Sequence, residues 1–227
     1  MEISCTEREL FIIEQVTKAA AALGLETYLV GGFVRDKLIG RPTRDADFVC
    51  AGDAIELAKQ TAKQFEPVPQ VDYFKNFGTA HIRLADGFDL EFVGARKESY
   101  RHNSRKPDVE PGTIKDDQER RDFTINALAI SLNEKDYGRL QDPFGRKADL
   151  AAKIIRTPLE PAITFSDDPL RMMRAIRFAT QLGFSIEEKT WQGILDTAER
   201  IKIISQDISR VILNIFNTWH QLQSGLP

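Results

Sequence analysis

Cysteine is scarce: Cys5 and Cys50 are the two in 227 residues, and no metal-ligand spacing exists between them. A lone bridge between them is open, but the pattern fits a reduced, cytoplasmic chain better than a disulfide framework. Long apolar runs are also missing. The opening stretch MEISCTERELFIIEQV is charged and helical in pattern, without an apolar core flanked by small residues, so neither a signal peptide nor a membrane span is expected. No charge sign dominates, since 31 Lys and Arg face 34 Asp and Glu for a net charge of −3. That excludes a globally basic nucleic-acid coat and leaves any anionic partner to local basic patches or metal ions. Internal repeats and low-complexity tracts are absent. What remains is a chain with 42 % hydrophobic residues, enough for one large domain or two small ones with a sizeable core.

The periodicity predicts an amphipathic helix over residues 6–23, with Leu10, Phe11, Ile13, Val16 and Ala20 on the packing side. TYLVGG reads as a short strand ending at glycines, VRDKLIG as a short helix stopped at Gly40, and DADFVC as a second strand. AIELAKQTAKQF reads as a helix. NFGTAHIRLADGFDLEFVGAR holds two strands around a tight turn at Asp86-Gly87. Residues 97–119 are polar and carry two prolines, which predicts a mobile loop. FTINALAISL predicts a helix leading into a strand. From about residue 148 onward the pattern predicts helices only. The expected architecture is α+β: a mixed-sheet head with flanking helices over 1–147, then an all-helical region over 148–227.

Several small constellations carry chemistry. Gly31 and Gly32 let the backbone approach a ligand and leave N–H groups near a helix start, which suits phosphate; an ordinary strand-to-helix turn would use the same residues. Asp45 and Asp47, two apart on a strand, point to one face, with Ala46 and Phe48 on the other. Paired carboxylates want solvent, a cation or a metal, and hard oxygen ligands suit magnesium. A salt bridge to Arg41 or Arg44 is the plainer alternative. Glu91 is a third acid, set in the apolar strand DLEFVGA beside Asp89. In ERRDFTINALAI, Asp122 and Asn126 would share a helix face and could bind a ribose, with an arginine on phosphate. In FSDDPLRMMRAIRF, Ser166 or Asp167 could cap a helix with Pro169 in its first turn. Asp168 and Arg171 would be neighbours there, able to read a base edge or simply to form a helix salt bridge.

In their order along the chain, these motifs resemble the class II tRNA nucleotidyltransferases, which include CCA-adding enzymes and bacterial poly(A) polymerases. The motifs are Gly-Gly-x-Val-Arg-Asp, Asp-x-Asp, a strand Glu, Arg-Arg-Asp-x-x-x-Asn-Ala, Asp-Pro-x-x-Gly and Asp-Asp-x-x-Arg. The resemblance runs from about Tyr28 to Phe184. It implies a polymerase-β-like nucleotidyltransferase head followed by a helical neck that recognises the base. It also implies that Asp45 and Asp47 bind metal, two Mg²⁺ ions per site, with Glu91 as third catalytic carboxylate. Gly31, Gly32 and Arg35 would hold the triphosphate. Arg121, Asp122 and Asn126 would hold ribose and phosphate. Asp142 to Gly145 would couple head and neck movement. Asp167, Asp168 and Arg171 would template the incoming base, and Arg174 would contact phosphate nearby.

The implied reaction is attack of an RNA 3′-hydroxyl on the α-phosphate of ATP or CTP, with pyrophosphate leaving and the tRNA 3′ end as partner. Positioning and charge neutralisation supply the catalysis. The sequence departs from the pattern twice. Asp167 stands where a Glu is usual, and residues 202–227 lack the Glu-Arg pair that normally follows Ser-Gln. The chain also stops at Pro227, where relatives continue into body and tail domains. The basic stretch Arg96 to Lys106 could touch RNA phosphate or be a solvated loop. Rival expectations are a poly(A) polymerase or A-adding enzyme, a non-catalytic RNA- or nucleotide-binding fragment, and a small-substrate nucleotidyltransferase. The arginine motifs fit the last of these poorly.

Overall fold

The computed structural model describes residues 1–99 and 107–203. These fall into two compact units. The first comprises Met1–Lys97, Val109–Glu119 and Asn126–Gly145, and the second takes the remaining described residues.

The first unit opens with helix α1 (Glu7–Leu23). Thr6 and Glu9 form a reciprocal capping box at its start, and Gly24, at φ 64°, ends it. The packing stripe differs from the expected one. Ile12, Ile13, Val16, Ala19 and Ala20 are buried, whereas Leu10 and Phe11 are 42 % and 43 % exposed. Strand β1 (Thr27–Val30) runs into α2 (Gly31–Leu38), then β2 (Asp45–Cys50) and α3 (Ala54–Ala62). Three strands follow, β3 (Val71–Phe74), β4 (Thr79–Arg83) and β5 (Asp89–Gly94). The β4–β5 turn contains Gly87 at φ 80°, as an Asp-Gly turn requires.

Residues 97–119 are not the structureless loop that their polarity suggests. β6 (Arg96–Ser99) pairs with β7 (Asp108–Pro111), and α4 (Ile114–Glu119) follows. Residues 100–106, which include most of the basic stretch, lie outside the described residues. FTINALAISL is also not an α-helix leading into a strand. A single 3-10 turn over Thr124–Asn126 precedes β8 (Ala129–Ser131), and β9 (Leu140–Gln141) closes the unit.

The main sheet has seven strands in the order β3-β4-β5-β2-β1-β8-β9. β2 and β5 are parallel, and the other neighbours are antiparallel. Alternation sets its faces. Ala46, Phe48, Leu90 and Phe92 point one way and are fully buried. Phe48 and Phe92 stack at 5.3 Å, a contact of about 0.5–1.5 kcal/mol beyond area burial. α3 packs across β3, β4 and β5, and α1 packs on α3. On the opposite face, Tyr28, Val30, Val49, Ala95 and Ala129 form a small core cluster under Ile114.

The second unit contains α5 (Lys147–Ala151), β10 (Ile154–Ile155), α6 (Pro161–Asp167), α7 (Leu170–Leu182), β11 (Ser185–Ile186) and α8 (Glu188–Thr197). It is therefore not helical throughout. β10 and β11 form a two-residue parallel ladder, because β-branched Ile154 and Ile155 leave α5 extended and meet the chain returning from α7. Runs this short leave no periodic signal. α7 buries Met172, Ala175, Ile176 and Ala179, and Gly183 ends it at φ 67°. Gly193 on α8 lets α6 approach, since a Cβ there would fall 2.3 Å from Pro161 Cβ. Among the described residues no helix is long and apolar enough to cross a membrane.

Candidate nucleotide and metal site

The first unit gathers the glycines and the acids at one end of its central strands. β1 delivers the chain to Gly31, whose φ of 71° is left-handed and favours glycine. Val30 occupies the N-cap of α2 and makes no side-chain cap bond, and the Gly31 N–H donates to the Leu128 carbonyl at 3.4 Å. Gly32 adds room, since a Cβ there would meet only Arg35 Nη2, at 3.6 Å.

Arg35 is buried. Its Nη1 donates to Asn126 Oδ1 at 2.7 Å and its Nε donates to Asp36 Oδ1 at 2.8 Å. Two residues on along the same helix, Lys37 pairs with Glu9 Oε1 of α1 at 2.5 Å. The other Glu9 oxygen accepts from Thr6 N at 2.7 Å. Burial pushes the Glu9 carboxyl up, but the bonds from Lys37 and Thr6 outweigh it and hold it below the ordinary range. α2 is thus pinned by two charged side chains.

The carboxylates face the same side as expected. Asp45 pairs in register with Asp89, and Asp47 pairs with Glu91, across the parallel β2–β5 ladder. All four therefore share one sheet face. Asp45 and Glu91 are exposed, and Asp47 is half-buried. Thr43 Oγ1 donates to Asp45 Oδ1. The donors are accessible and hard, which fits Mg²⁺. Among the described residues, however, no three acids, histidines or cysteines stand close enough to form a ready-made ion cluster. The face also carries His81, the register partner of Glu91, with Nε2 3.0 Å from Asp89 Oδ1. The alternation of Ala80, His81 and Ile82 was the signal that puts the imidazole on this face.

Of the remaining candidates, Arg121, Asp122, Asp167, Asp168, Arg171 and Arg174 sit in the second unit, and Asn126 and Asp142 to Gly145 in the first. Asp122 and Asn126 do not share a helix face. Asp122 precedes the 3-10 turn and Asn126 ends it, and the two belong to different units. Asp122 is buried and accepts from Arg174 Nε at 2.6 Å and from Phe123 N at 2.8 Å. The Arg174 guanidinium lies over the Phe178 ring at 5.1 Å. The Asp122–Arg174 pair was not visible in the sequence, where the two are far apart. Arg121 is half-exposed.

Neither Ser166 nor Asp167 caps α7, because both lie in the last turn of α6. Pro169 is the N-cap of α7, and Asp168 just before it accepts from Leu170 N at 3.1 Å. The Asp168 carbonyl accepts from Arg171 N at 3.0 Å. Arg171 Nη2 donates to the Arg120 carbonyl at 2.8 Å. Burial pushes the Asp167 carboxyl up; Arg171 and then Arg200 oppose the rise, and Glu98 adds to it. Asp142 to Gly145 is a tight turn, with Gly145 N donating to Asp142 O. Residues 204–227, which hold the atypical end of the neck-like segment, lie outside the described residues.

Comparison with known proteins gives a consistent picture. The family profile described as "Poly A polymerase head domain" matches residues 27–156. The chain is 45 % identical over 190 residues to the A-adding tRNA nucleotidyltransferase of Aquifex aeolicus, covering 80 % of this chain and 22 % of that protein. It is 38 % identical over 212 residues to the CCA-adding enzyme of Lactiplantibacillus plantarum, covering 92 % of this chain and 48 % of that one. A tRNA nucleotidyltransferase solved with a primer tRNA and an incoming ATP analogue superposes with a TM-score of 0.73 at 37 % identity. That match covers 92 % of this chain and 60 % of its counterpart. The chain thus spans half or less of the two curated relatives named.

Proposed function

The chain belongs to the poly(A) polymerase head-domain family, and from that premise we propose that it is a nucleotidyltransferase acting on the 3′ end of tRNA. In this reading it adds CMP and AMP from CTP and ATP. The observation that carries it is the shared face: Asp45, Asp47 and Glu91 stand on adjacent parallel strands, beside the glycine start of α2. Similarity to CCA-adding and A-adding enzymes, and to one solved with tRNA and an ATP analogue, supports it.

The roles divide by position. The helix start at Gly31 and Gly32 faces the phosphates, with Arg35 behind it, while the Gly31 N–H itself donates to the Leu128 carbonyl at 3.4 Å. Asp45 and Asp47 hold two magnesium ions, which when bound supply charge neutralisation at the phosphoryl oxygens and a more acidic hydroxyl. Glu91 faces the attacking 3′-oxygen. Its proton passes to Glu91 as that oxygen bonds to the α-phosphorus, the bond to the bridging oxygen breaks, and pyrophosphate leaves. The resemblance assigns ribose and phosphate contacts to Arg121, Asp122, Asn126 and Arg174, and the base edge to Asp167, Asp168 and Arg171. On these assignments, residues 1–147 form the catalytic head and the second unit the base-recognising neck.

A second reading has an observation of its own. The A-adding name recurs among the relatives, including the one at 45 % identity. Incorporation of each labelled NTP onto tRNA ending at the discriminator base, at -C and at -CC separates the readings. CTP then ATP, ending at CCA, supports CCA addition. ATP alone on the -CC end supports A addition, and long A-tails a poly(A) polymerase. ATP binding without any incorporation would make the chain a nucleotide-binding segment and overturn the proposal.

A further inference from the structure

Four residues on four strands line up across the carboxylate face. Val30 on β1 pairs with Asp47 on β2, Asp47 with Glu91 on β5, and Glu91 with His81 on β4. α2 follows directly on Val30, so the row has a glycine end and a far end. In the proposed reaction the pyrophosphate departs toward the glycines. In-line displacement sets the attacking and leaving oxygens on opposite sides of phosphorus. The terminal ribose of the RNA therefore enters from the Glu91–His81 side. Neighbouring strands lie about 4.8 Å apart, which puts His81 one strand beyond the acid that faces the 3′-hydroxyl.

His81 is oriented to accept a hydrogen bond. Its Nε2 is 3.0 Å from Asp89 Oδ1, and Arg83 Nε stands 3.9 Å from the same oxygen. A carboxylate only accepts, so Nε2 donates to Asp89 and Nδ1 is the ring nitrogen left to face a ligand. The side chain is 32 % exposed. On a ribose the 2′-hydroxyl adjoins the 3′-hydroxyl, and it is the group by which a protein tells RNA from DNA.

We infer that His81, held by Asp89, accepts a hydrogen bond from the 2′-hydroxyl of the primer's terminal ribose and sets the preference for an RNA end. This rests on the nucleotidyl-transfer reading above. The test compares two primers of one sequence, ending in a ribonucleotide or its 2′-deoxy counterpart, with wild type, His81→Ala and His81→Asn. Wild type should favour the ribose end by about three- to tenfold in kcat/KM. His81→Ala should fall to the deoxy rate on the ribose primer and lose nothing further on the deoxy primer. His81→Asn, which keeps an acceptor, should retain part of the preference, with the NTP KM unchanged in both variants. A ribose preference in His81→Ala equal to that of wild type overturns the inference, whatever the overall rate. Wild type that transfers to neither primer overturns the nucleotidyl-transfer reading itself.

Discussion

Asp47 and Glu91 are register partners on parallel strands, and their side chains leave the same sheet face. Two like charges directly opposite one another destabilise a sheet. A cation bound between the two carboxylates offsets that repulsion.

Asp47→Asn and Glu91→Gln should therefore act in opposite directions on stability and activity. In chelator-containing buffer each should raise unfolding stability by a few tenths of a kcal/mol, roughly the value of one cross-strand pair. Both should reduce nucleotide transfer, Glu91→Gln by about a hundredfold or more. Chemical denaturation and primer extension on the same samples check both halves. Near-wild-type transfer by either variant contradicts the assignment.

The two glycines should separate. Gly31 has φ 71°, so Gly31→Ala should cost about 1–2 kcal/mol of stability. Gly32 is helical, and a Cβ there meets only Arg35 Nη2 at 3.6 Å. Gly32→Ala should leave stability unchanged or raise it by up to about 1 kcal/mol, while the NTP KM rises because the methyl occupies the approach to the backbone. Melting curves and NTP titrations distinguish the two.

Glu9 should make stability depend on pH in a stated direction. Its carboxyl is held below the ordinary range in the folded chain, so its ionised form adds stability above the unfolded value of about 4.3. That contribution is lost as pH falls through the lower folded value. Glu9→Gln should be less stable than wild type by about 1–3 kcal/mol at pH 7. The gap should close as the pH drops below about 4. Denaturation midpoints of the pair from pH 7 to pH 3 measure it.

Arg171→Ala should loosen base choice more than it weakens triphosphate binding. Arg171 already donates to the Arg120 carbonyl, so its loss removes a donor from the edge assigned to the base and leaves Gly31 and Gly32 untouched. Discrimination of ATP and CTP against GTP and UTP, measured as kcat/KM ratios, should fall. Unchanged ratios would remove Arg171 from base reading.

Much of the first unit is legible in its local pattern. Asp-Ala-Asp-Phe and Asp-Leu-Glu-Phe announce their faces by strict alternation, and Asp86-Gly87 announces its turn. What local pattern cannot carry is register. That β2 runs parallel to β5, bringing Asp47 beside Glu91, depends on strand neighbours more than forty residues apart. The same limit hid the Arg35–Asn126 and Asp122–Arg174 contacts. The four-residue spacing of Asp122 and Asn126 fits one face of an α-helix, but the short 3-10 turn that forms has no such period. β10 and β11 are two residues each and leave no signal at all.

The most direct test of the central claim is stoichiometry. Wild-type protein is given ATP, magnesium and an RNA ending in -CC, and AMP joined to the RNA is counted against pyrophosphate released. The account predicts one pyrophosphate for each AMP incorporated, with both lost in Asp45→Ala although that variant remains folded. Release of inorganic phosphate and ADP instead, or equal yields from Asp45→Ala, would contradict it.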